Sequence, residues 1–295
     1  MPHFKAVSKS SLAILVCLSI LGFTLPASTA ESAEKDTGRF RTLQERLIKD
    51  GFVKDRIEML YSRPEVDFET RGISLFLIHR ESRLNYDQFA TQESIRKAAA
   101  YMEEHKTALE SAEKKYGVNK EVITAIILVE TRLGKNLGGP FVLNTLSSMA
   151  SLADPGVRDM FWGEVSPSTS VTREEYDKWA EKKSKWAYGE LKAFLRYTGK
   201  ADMDPAGIIG SYAGALGISQ FMPSNIHALG KDGNNDGRID LFDHEDAIAS
   251  VANYLKHHGW HPGIDAQNAY KVLMRYNYSK YYANTILKIS GKLKG

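Results

Sequence analysis

The chain has 295 residues, 43% of them hydrophobic, and a formal net charge of +3. That length and apolar content suffice to bury a large core, which excludes disordered and fibrous classes. A charge so close to neutral gives no electrostatic basis for binding nucleic acid or an anionic membrane surface.

The N-terminus reads as a secretory signal peptide over residues 1–30. Lys5 and Lys9 precede the apolar stretch Leu12 to Leu25, and PASTA then offers Ser28 and Ala30 as small cleavage-site residues. The apolar stretch is too short, and wrongly flanked, for a lasting membrane span. Cys17, the one cysteine, lies inside that signal, so the exported chain is expected to have no disulfide. A polar, disordered leader is expected over 31–40. Residues 31–117 then read as an N-terminal helical region.

Thr42 and Glu45 are spaced as a capping box ahead of a helix carrying Leu43, Leu47 and Ile48. A second short helix runs from Asp50 to Tyr61, stopped by Arg63-Pro64. Residues 64–90 read as irregular, with an extended piece at ISLFLI. A long helix is predicted from Ser94 to Tyr116, where Ile95, Ala98, Ala99, Met102, Leu109 and Ala112 keep a helical period. Gly117 ends it, and Asn119 is placed to cap the next helix.

That next helix carries the most informative residue. Residues 122–129 read VITAIILV, and Glu130 follows directly. A carboxyl group there meets desolvation and the negative end of the helix dipole, and both favour its neutral form. A neutral acid near pH 7 is what general acid catalysis requires. The same position also suits a helix-end carboxylate paired with Arg132 or Lys135.

Further on, 163–171 (GEVSPSTSV) reads as a loop, and Thr172 with Glu175 opens another capped helix. The stretch SYAGALGISQFMPS (211–224) is a small-residue loop feeding a helix that ends near Pro223. In DGNNDGRIDLFDHED (232–246), Asp232, Asn234 and Asp236 fall at positions 1, 3 and 5 of a calcium loop. Gly237 supplies the turn, the Arg238 carbonyl the next ligand, and Asp240 sits at position 9. Position 12 holds Asp243 in place of the usual Glu, so either Asp243 or the later Asp246 closes the site. An acidic Asn/Asp/Gly turn without metal has the same composition. Helices are expected over 244–257 and near 281–292. RYNYSKYYA (275–283) gathers tyrosines suited to stacking on sugar rings, or to packing half-buried against a core. Strand signals are scarce, so the fold is mainly α.

VETRLG (129–134), SYAGALGISQFMPS (211–224), the 232–246 loop with DAIASVANYLKHHGW (246–260), and RYNYSKYYA (275–283) together resemble the soluble lytic murein transglycosylases of the B type, within the lysozyme-like superfamily. The resemblance spans 129–293 in order. It implies a lysozyme-like helical core over 118–295, with a helical insertion near 150–205 and a single EF-hand-like calcium loop, next to an additional helical lobe. It implies an enzyme acting on peptidoglycan glycan strands. The signal peptide leads us to expect export to the periplasm or cell envelope of a bacterium, and a monomer is expected. Glu130 falls on the family's catalytic acid/base. Ser211, Gln220, Tyr254, Tyr276, Asn277 and Tyr282 fall on positions lining its groove, with Tyr254 and Tyr282 expected to hold Glu130. Asp246 falls on the closing ligand of a structural calcium, beside Asp232, Asn234, Asp236 and the Arg238 carbonyl. Leu133 and Ile218 depart from residues often aromatic in the family. Two other readings remain open at this point: a hydrolytic muramidase, and a non-catalytic calcium-dependent peptidoglycan-binding protein.

Overall fold

The computed structural model describes residues 37–78 and 85–295. The expected signal peptide lies outside the described residues, as does the leader up to residue 36. The last leader residues form a 3-10 helix, Thr37–Phe40. Beyond them the chain is a succession of α-helices: α1 Arg41–Lys49, α2 Lys54–Tyr61, α3 Thr70–Ile78, α4 Gln92–Glu104, α5 Lys106–Tyr116, α6 Lys120–Thr131, α7 Val142–Ser151, α8 Pro155–Val165, α9 Arg173–Ala201, α10 Pro223–Leu229, α11 His244–His257, α12 Ala266–Tyr276 and α13 Lys280–Lys294. Among the described residues, β structure is confined to isolated bridges (Phe141 with Ile209, Gly210 with Leu216, Leu216 with Phe221).

Local chemistry accounts for several departures from the sequence reading. The capping box before α1 does not form. Phe40 holds the N-cap, and Thr42 Oγ1 donates to Asp154 Oδ2 at 2.8 Å, joining α1 to the start of α8. The second helix starts at Lys54, four residues late. ISLFLI is helical, inside α3. Glu69 Oε1 accepts the Gly72 amide at 2.8 Å, which supplies a helix start, and Ile73 and Phe76 bury one face. A short apolar run is compatible with either period, and one-sided burial decides it. The long helix predicted to Tyr116 breaks at His105 (φ −104°, ψ 25°), whose ring lies 4.3 Å from Tyr101 and 4.4 Å from His244. Asn119 occupies the N-cap of α6 but its side chain accepts no capping bond. The 163–171 loop is helical through Val165, then 3-10 over Ser166–Ser168. Pro223 begins α10 and does not end a helix, as its fixed φ and missing donor suit the first turn.

The capping box before α9 does form. Thr172 Oγ1 accepts the Glu175 amide at 3.3 Å, and Glu175 Oε2 accepts the Thr172 amide at 2.8 Å. Thr172→Ala should cost about 1 kcal/mol. In a chain of this size, thermal unfolding should register that as a fall of about 2–4 °C.

The buried side chains from Phe40 to Ile289 form one hydrophobic cluster. Within it α6 is surrounded: α4, α5, α11 and α13 all pack on it, and Val122 to Thr131 are buried without a break. This is why 122–130 shows no amphipathic period. Fully burying residues such as Ile123, Ile126 and Ile127 contributes about 1.5–3 kcal/mol each. The loop at 208–222 closes beside this core. Gly217 has φ 73°, and a Cβ there would lie 2.6 Å from the Leu241 carbonyl oxygen, so only glycine permits the bond from the Ile218 amide to that oxygen at 2.8 Å.

Candidate active site

α6 ends abruptly just past Glu130. Arg132, Leu133 and Gly134 take φ of 51°, 63° and 82°, three consecutive left-handed residues, two of them not glycine. Such backbone persists only where its surroundings hold it. Here Thr131 Oγ1 does so, donating to the Ile218 carbonyl at 2.9 Å and accepting the Gly134 amide at 3.0 Å. The turn after Glu130 is thereby tied to the 211–224 loop. Thr131 was not singled out from the sequence, and nothing in its local pattern marks it.

Glu130 is 1% exposed. α13 lies along α6 and carries Tyr282, which is fully buried and whose Oη donates to Glu130 Oε1 at 2.7 Å. Burial pushes the Tyr282 phenol well above its ordinary pKa, so it stays a donor across the working pH range. Arg132, one of the two cations expected to pair with Glu130, has other partners. It reaches Gln88 Oε1 at 2.5 Å and lies over the Phe89 ring.

Behind Tyr282 stands a column of aromatic rings. Tyr276 lies parallel to it, with centroids 6.2 Å apart and planes 7° apart. Tyr254 meets Tyr276 edge-on at 4.9 Å, and Tyr86 meets Tyr282 edge-on at 6.4 Å. Their hydroxyls have separate tasks. Tyr276 Oη donates to the Ser219 carbonyl and Tyr254 Oη to the Arg275 carbonyl, each at 2.6 Å. Tyr254 therefore does not hold Glu130 directly, contrary to expectation, and is linked to Tyr282 only through the Tyr276 ring. Its phenol is pushed up to about 12, by burial first. Tyr276 and Tyr282 are fully buried, whereas Tyr278 and Tyr281 are exposed. Tyr86, which completes the column, was not found from sequence because it sits in a stretch read as irregular.

Gln220 is fully buried with φ 48°, and its Nε2 donates to the Gly217 carbonyl at 2.9 Å and the Leu137 carbonyl at 3.3 Å. Ser211 Oγ accepts the amides of Ala213 and Ala215, at 3.2 and 3.0 Å, and so shapes its own loop. Asn277 ends α12 as its fully buried C-cap residue. A cavity of about 520 Å³ opens elsewhere, between α2 and the C-terminal end of α9, and no candidate residue lines it.

The 232–246 segment folds as a loop drawn around Asp246. That side chain is fully buried. Its Oδ1 accepts the Gly233 amide at 2.7 Å and its Oδ2 the Asp240 amide at 2.6 Å. Burial raises its pKa, and these amide bonds oppose the rise. A Cβ on Gly233 would lie 2.2 Å from the Glu245 carbonyl oxygen, so glycine alone allows this approach. Asp232 accepts the Asp236 and Gly237 amides, at 3.2 and 2.8 Å, and Asn234 Oδ1 accepts the Asp236 amide at 3.0 Å. Asp236 Oδ1 accepts the Arg238 amide at 2.8 Å. Asp243 is used differently. It is the N-cap of α11, its Oδ1 accepting the Glu245 and Asp246 amides at 2.8 and 3.2 Å. Among the described residues, no group of three or more His, Cys, Asp or Glu side chains is arranged to hold a metal ion.

A family model described as a transglycosylase SLT domain matches residues 36–268. The chain belongs to that family. Among transglycosylase SLT relatives, the membrane-bound lytic murein transglycosylase B of Escherichia coli K12 is 34% identical over 176 residues, which are 60% of this chain and 41% of that protein. The match therefore spans less than half the length of that curated relative. The fold is similar to the soluble lytic transglycosylase SltB1 of Pseudomonas aeruginosa, with TM-score 0.68 and 25% identity over 87% of this chain and 98% of the other. It is also similar to the E. coli lytic transglycosylase Slt35 in complex with calcium, with TM-score 0.66 and 22% identity over 90% of this chain and 94% of the other. Among the described residues, no helix of this transglycosylase SLT protein is long and apolar enough to cross a membrane.

Proposed function

We propose that the chain is a lytic transglycosylase that cleaves the β-1,4 bond between N-acetylmuramic acid and N-acetylglucosamine in peptidoglycan. It leaves a 1,6-anhydromuramyl end and uses Glu130 as acid and then as base. The observation that carries this reading is the Glu130 carboxyl, 1% exposed at the end of an apolar helix with the Tyr282 hydroxyl on one oxygen. Desolvation favours its protonated form, as a general acid needs. At that exposure, contact with a glycan oxygen requires the covering side chains to separate.

Protonated Glu130 gives its proton to the bridging oxygen. The C1–O bond breaks, its electron pair goes to the leaving sugar, and C1 gains oxocarbenium character. Two further carboxylates are buried among the described residues, Glu190 and Asp246. Glu190 accepts the Ser224 amide and hydroxyl, at 2.9 and 2.8 Å, and Asp246 is held by its loop. Both are committed elsewhere, which favours a substrate-assisted route in which the muramyl N-acetyl oxygen stabilises C1. Ionised Glu130 then takes the proton of the C6 hydroxyl while O6 bonds to C1. No water is consumed, and the carboxyl is protonated again. Ser211 and Gln220 orient the N-acetyl group or the C6 hydroxyl, Asn277 lines the groove, and the Tyr254, Tyr276 and Tyr282 column excludes water.

Tyr282→Phe removes the hydrogen bond to Glu130 and nothing of the packing. The expected result is a fall in kcat of about tenfold with KM little changed, corresponding to about 1–1.5 kcal/mol. Steady-state turbidity assays on purified sacculi measure it.

Apart from His244, whose ring nitrogen Nδ1 is 2.9 Å from the Tyr101 hydroxyl, the ligand-type side chains of the 232–246 loop are oxygen donors suited to a hard cation. The side chains of Asp232, Asn234, Asp236 and Asp246 and the carbonyl of Arg238 would hold a structural calcium, which braces the loop beside Gly217 and takes no part in bond cleavage. Asp246 is proposed to close this site, because its side chain is buried within the loop while Asp243 faces the start of α11. We further propose that residues 118–295 carry the catalytic core, that the signal peptide exports the chain to the bacterial cell envelope, and that it acts as a monomer. Release of anhydro-ended muropeptides from sacculi tests the reaction. Release of reducing ends would replace it with hydrolysis.

A further inference from the structure

α9 carries a lysine in an unusual setting. Lys183 Nζ lies 4.1 Å from the Phe76 ring centroid and 5.0 Å from that of Trp186. The side chain is half-buried. Its neighbours on the helix do not neutralise it: Lys182 is a like charge, and the nearby Glu181 pairs with Lys185 at 2.9 Å. Burial first, then Lys182, pushes the Lys183 amine down to about 8. Among the described residues no carboxylate pairs with Lys183, and an ammonium held among rings in this way gains from any carboxylate that arrives.

The rings around it extend the setting toward the active-site loop. Phe76 of α3 touches Trp179, Trp186 and Tyr212, with centroids 6.3, 5.9 and 6.2 Å away. Trp179, Trp186 and Tyr212 are half-buried and keep part of their surface in solvent. Tyr212 directly follows Ser211, so the cluster adjoins the loop that also carries Gln220. Half-exposed indole and phenol faces stack on the C–H faces of pyranose rings, and a cation among them selects a sugar that bears a negative group.

We propose that Lys183, with the exposed faces of Trp179, Trp186 and Tyr212, forms a glycan subsite for a sugar carrying a carboxylate. The proposal rests on the reading that this chain binds peptidoglycan. Within such a strand the carboxylate belongs to the muramyl lactyl group or to its peptide stem, and N-acetylglucosamine carries none.

The test measures binding by intrinsic tryptophan fluorescence, in a Glu130→Gln background that prevents turnover. Three probes are used: chitotetraose, which is neutral; strands stripped of stems by an amidase, which expose the lactyl carboxylate; and strands with intact stems. Lys183→Met should weaken an acidic strand by about fivefold, the scale of a partly exposed ion pair, and leave chitotetraose unchanged. Loss on both acidic probes assigns the lactyl carboxylate, and loss on stem-bearing strands alone assigns the stem. Lys183→Arg should retain binding. In the parent protein, added salt should weaken the acidic strands and spare chitotetraose, a readout independent of whether Lys183→Met folds. An equal change on neutral and acidic probes, or no change on acidic strands while chitotetraose still binds, overturns the subsite and leaves the functional reading standing. Absence of binding by all three probes overturns both.

Discussion

Glu130→Gln should fold, bind glycan strands and lose turnover by at least about 10²–10⁴-fold, the range that general acid–base catalysis supplies. The amide preserves size and still accepts the Tyr282 hydroxyl now on Glu130 Oε1 at 2.7 Å, so the packing around α6 survives. It has no proton to give the bridging oxygen and cannot take one from the C6 hydroxyl. Replacing a buried ionisable carboxyl with a neutral isostere also removes a desolvation cost, so thermal stability should hold or rise. Loss of activity at unchanged or higher melting temperature separates a chemical role from a structural one. Sedimentation with purified sacculi measures binding, and muropeptide release measures turnover. Retained turnover removes the central assignment.

Asp246→Ala and Asp243→Ala should behave very differently, although the residues lie three apart. Asp246 is fully buried and accepts the amides of Gly233 and Asp240. Removing it leaves those donors unsatisfied and should cost about 2–4 kcal/mol. It should also abolish stabilisation by calcium, which for the parent protein reaches about 2.7 kcal/mol at a concentration about 100 times Kd. Asp243 caps α11, and its loss should cost about 1 kcal/mol, with the calcium response retained. Thermal melts of the parent and both variants, across a calcium titration and with a chelator, distinguish these outcomes. A calcium response lost in Asp243→Ala and kept in Asp246→Ala would reverse the assignment. No response in the parent would leave the loop as a turn held by its own amides.

The parts legible in the sequence are those where chemistry is local. The uninterrupted apolar run before Glu130 reads as a buried helix because burial on every side erases amphipathic period, and α6 is enclosed in that way. The Thr172 and Glu175 box works because both partners lie within one turn. Thr42 and Glu45 have the same spacing and fail, because α1 begins at Arg41 and puts Thr42 inside the first turn, where its hydroxyl donates to Asp154, 112 residues away. The α3 segment reads as extended because a six-residue run with five apolar residues carries too little period to separate helix from strand. In the candidate site, Glu130 and Tyr282 are paired across 152 residues, a contact that only the resemblance to a family pointed to. Thr131, Tyr86 and the carbonyl partners of Tyr254 and Tyr276 had no sequence signal at all, since a backbone acceptor can come from any residue. Asp246 was separable from Asp243 only once the fold turned one side chain into the loop and the other onto a helix end.

The most direct measurement is the mass of the muramyl ends that the purified protein releases from sacculi. Attack by the C6 hydroxyl under Glu130 predicts ends lighter by one water than the hydrolytic product, released by the parent protein and absent with Glu130→Gln. Ends of full hydrolytic mass, or anhydro ends that persist with Glu130→Gln, would contradict it.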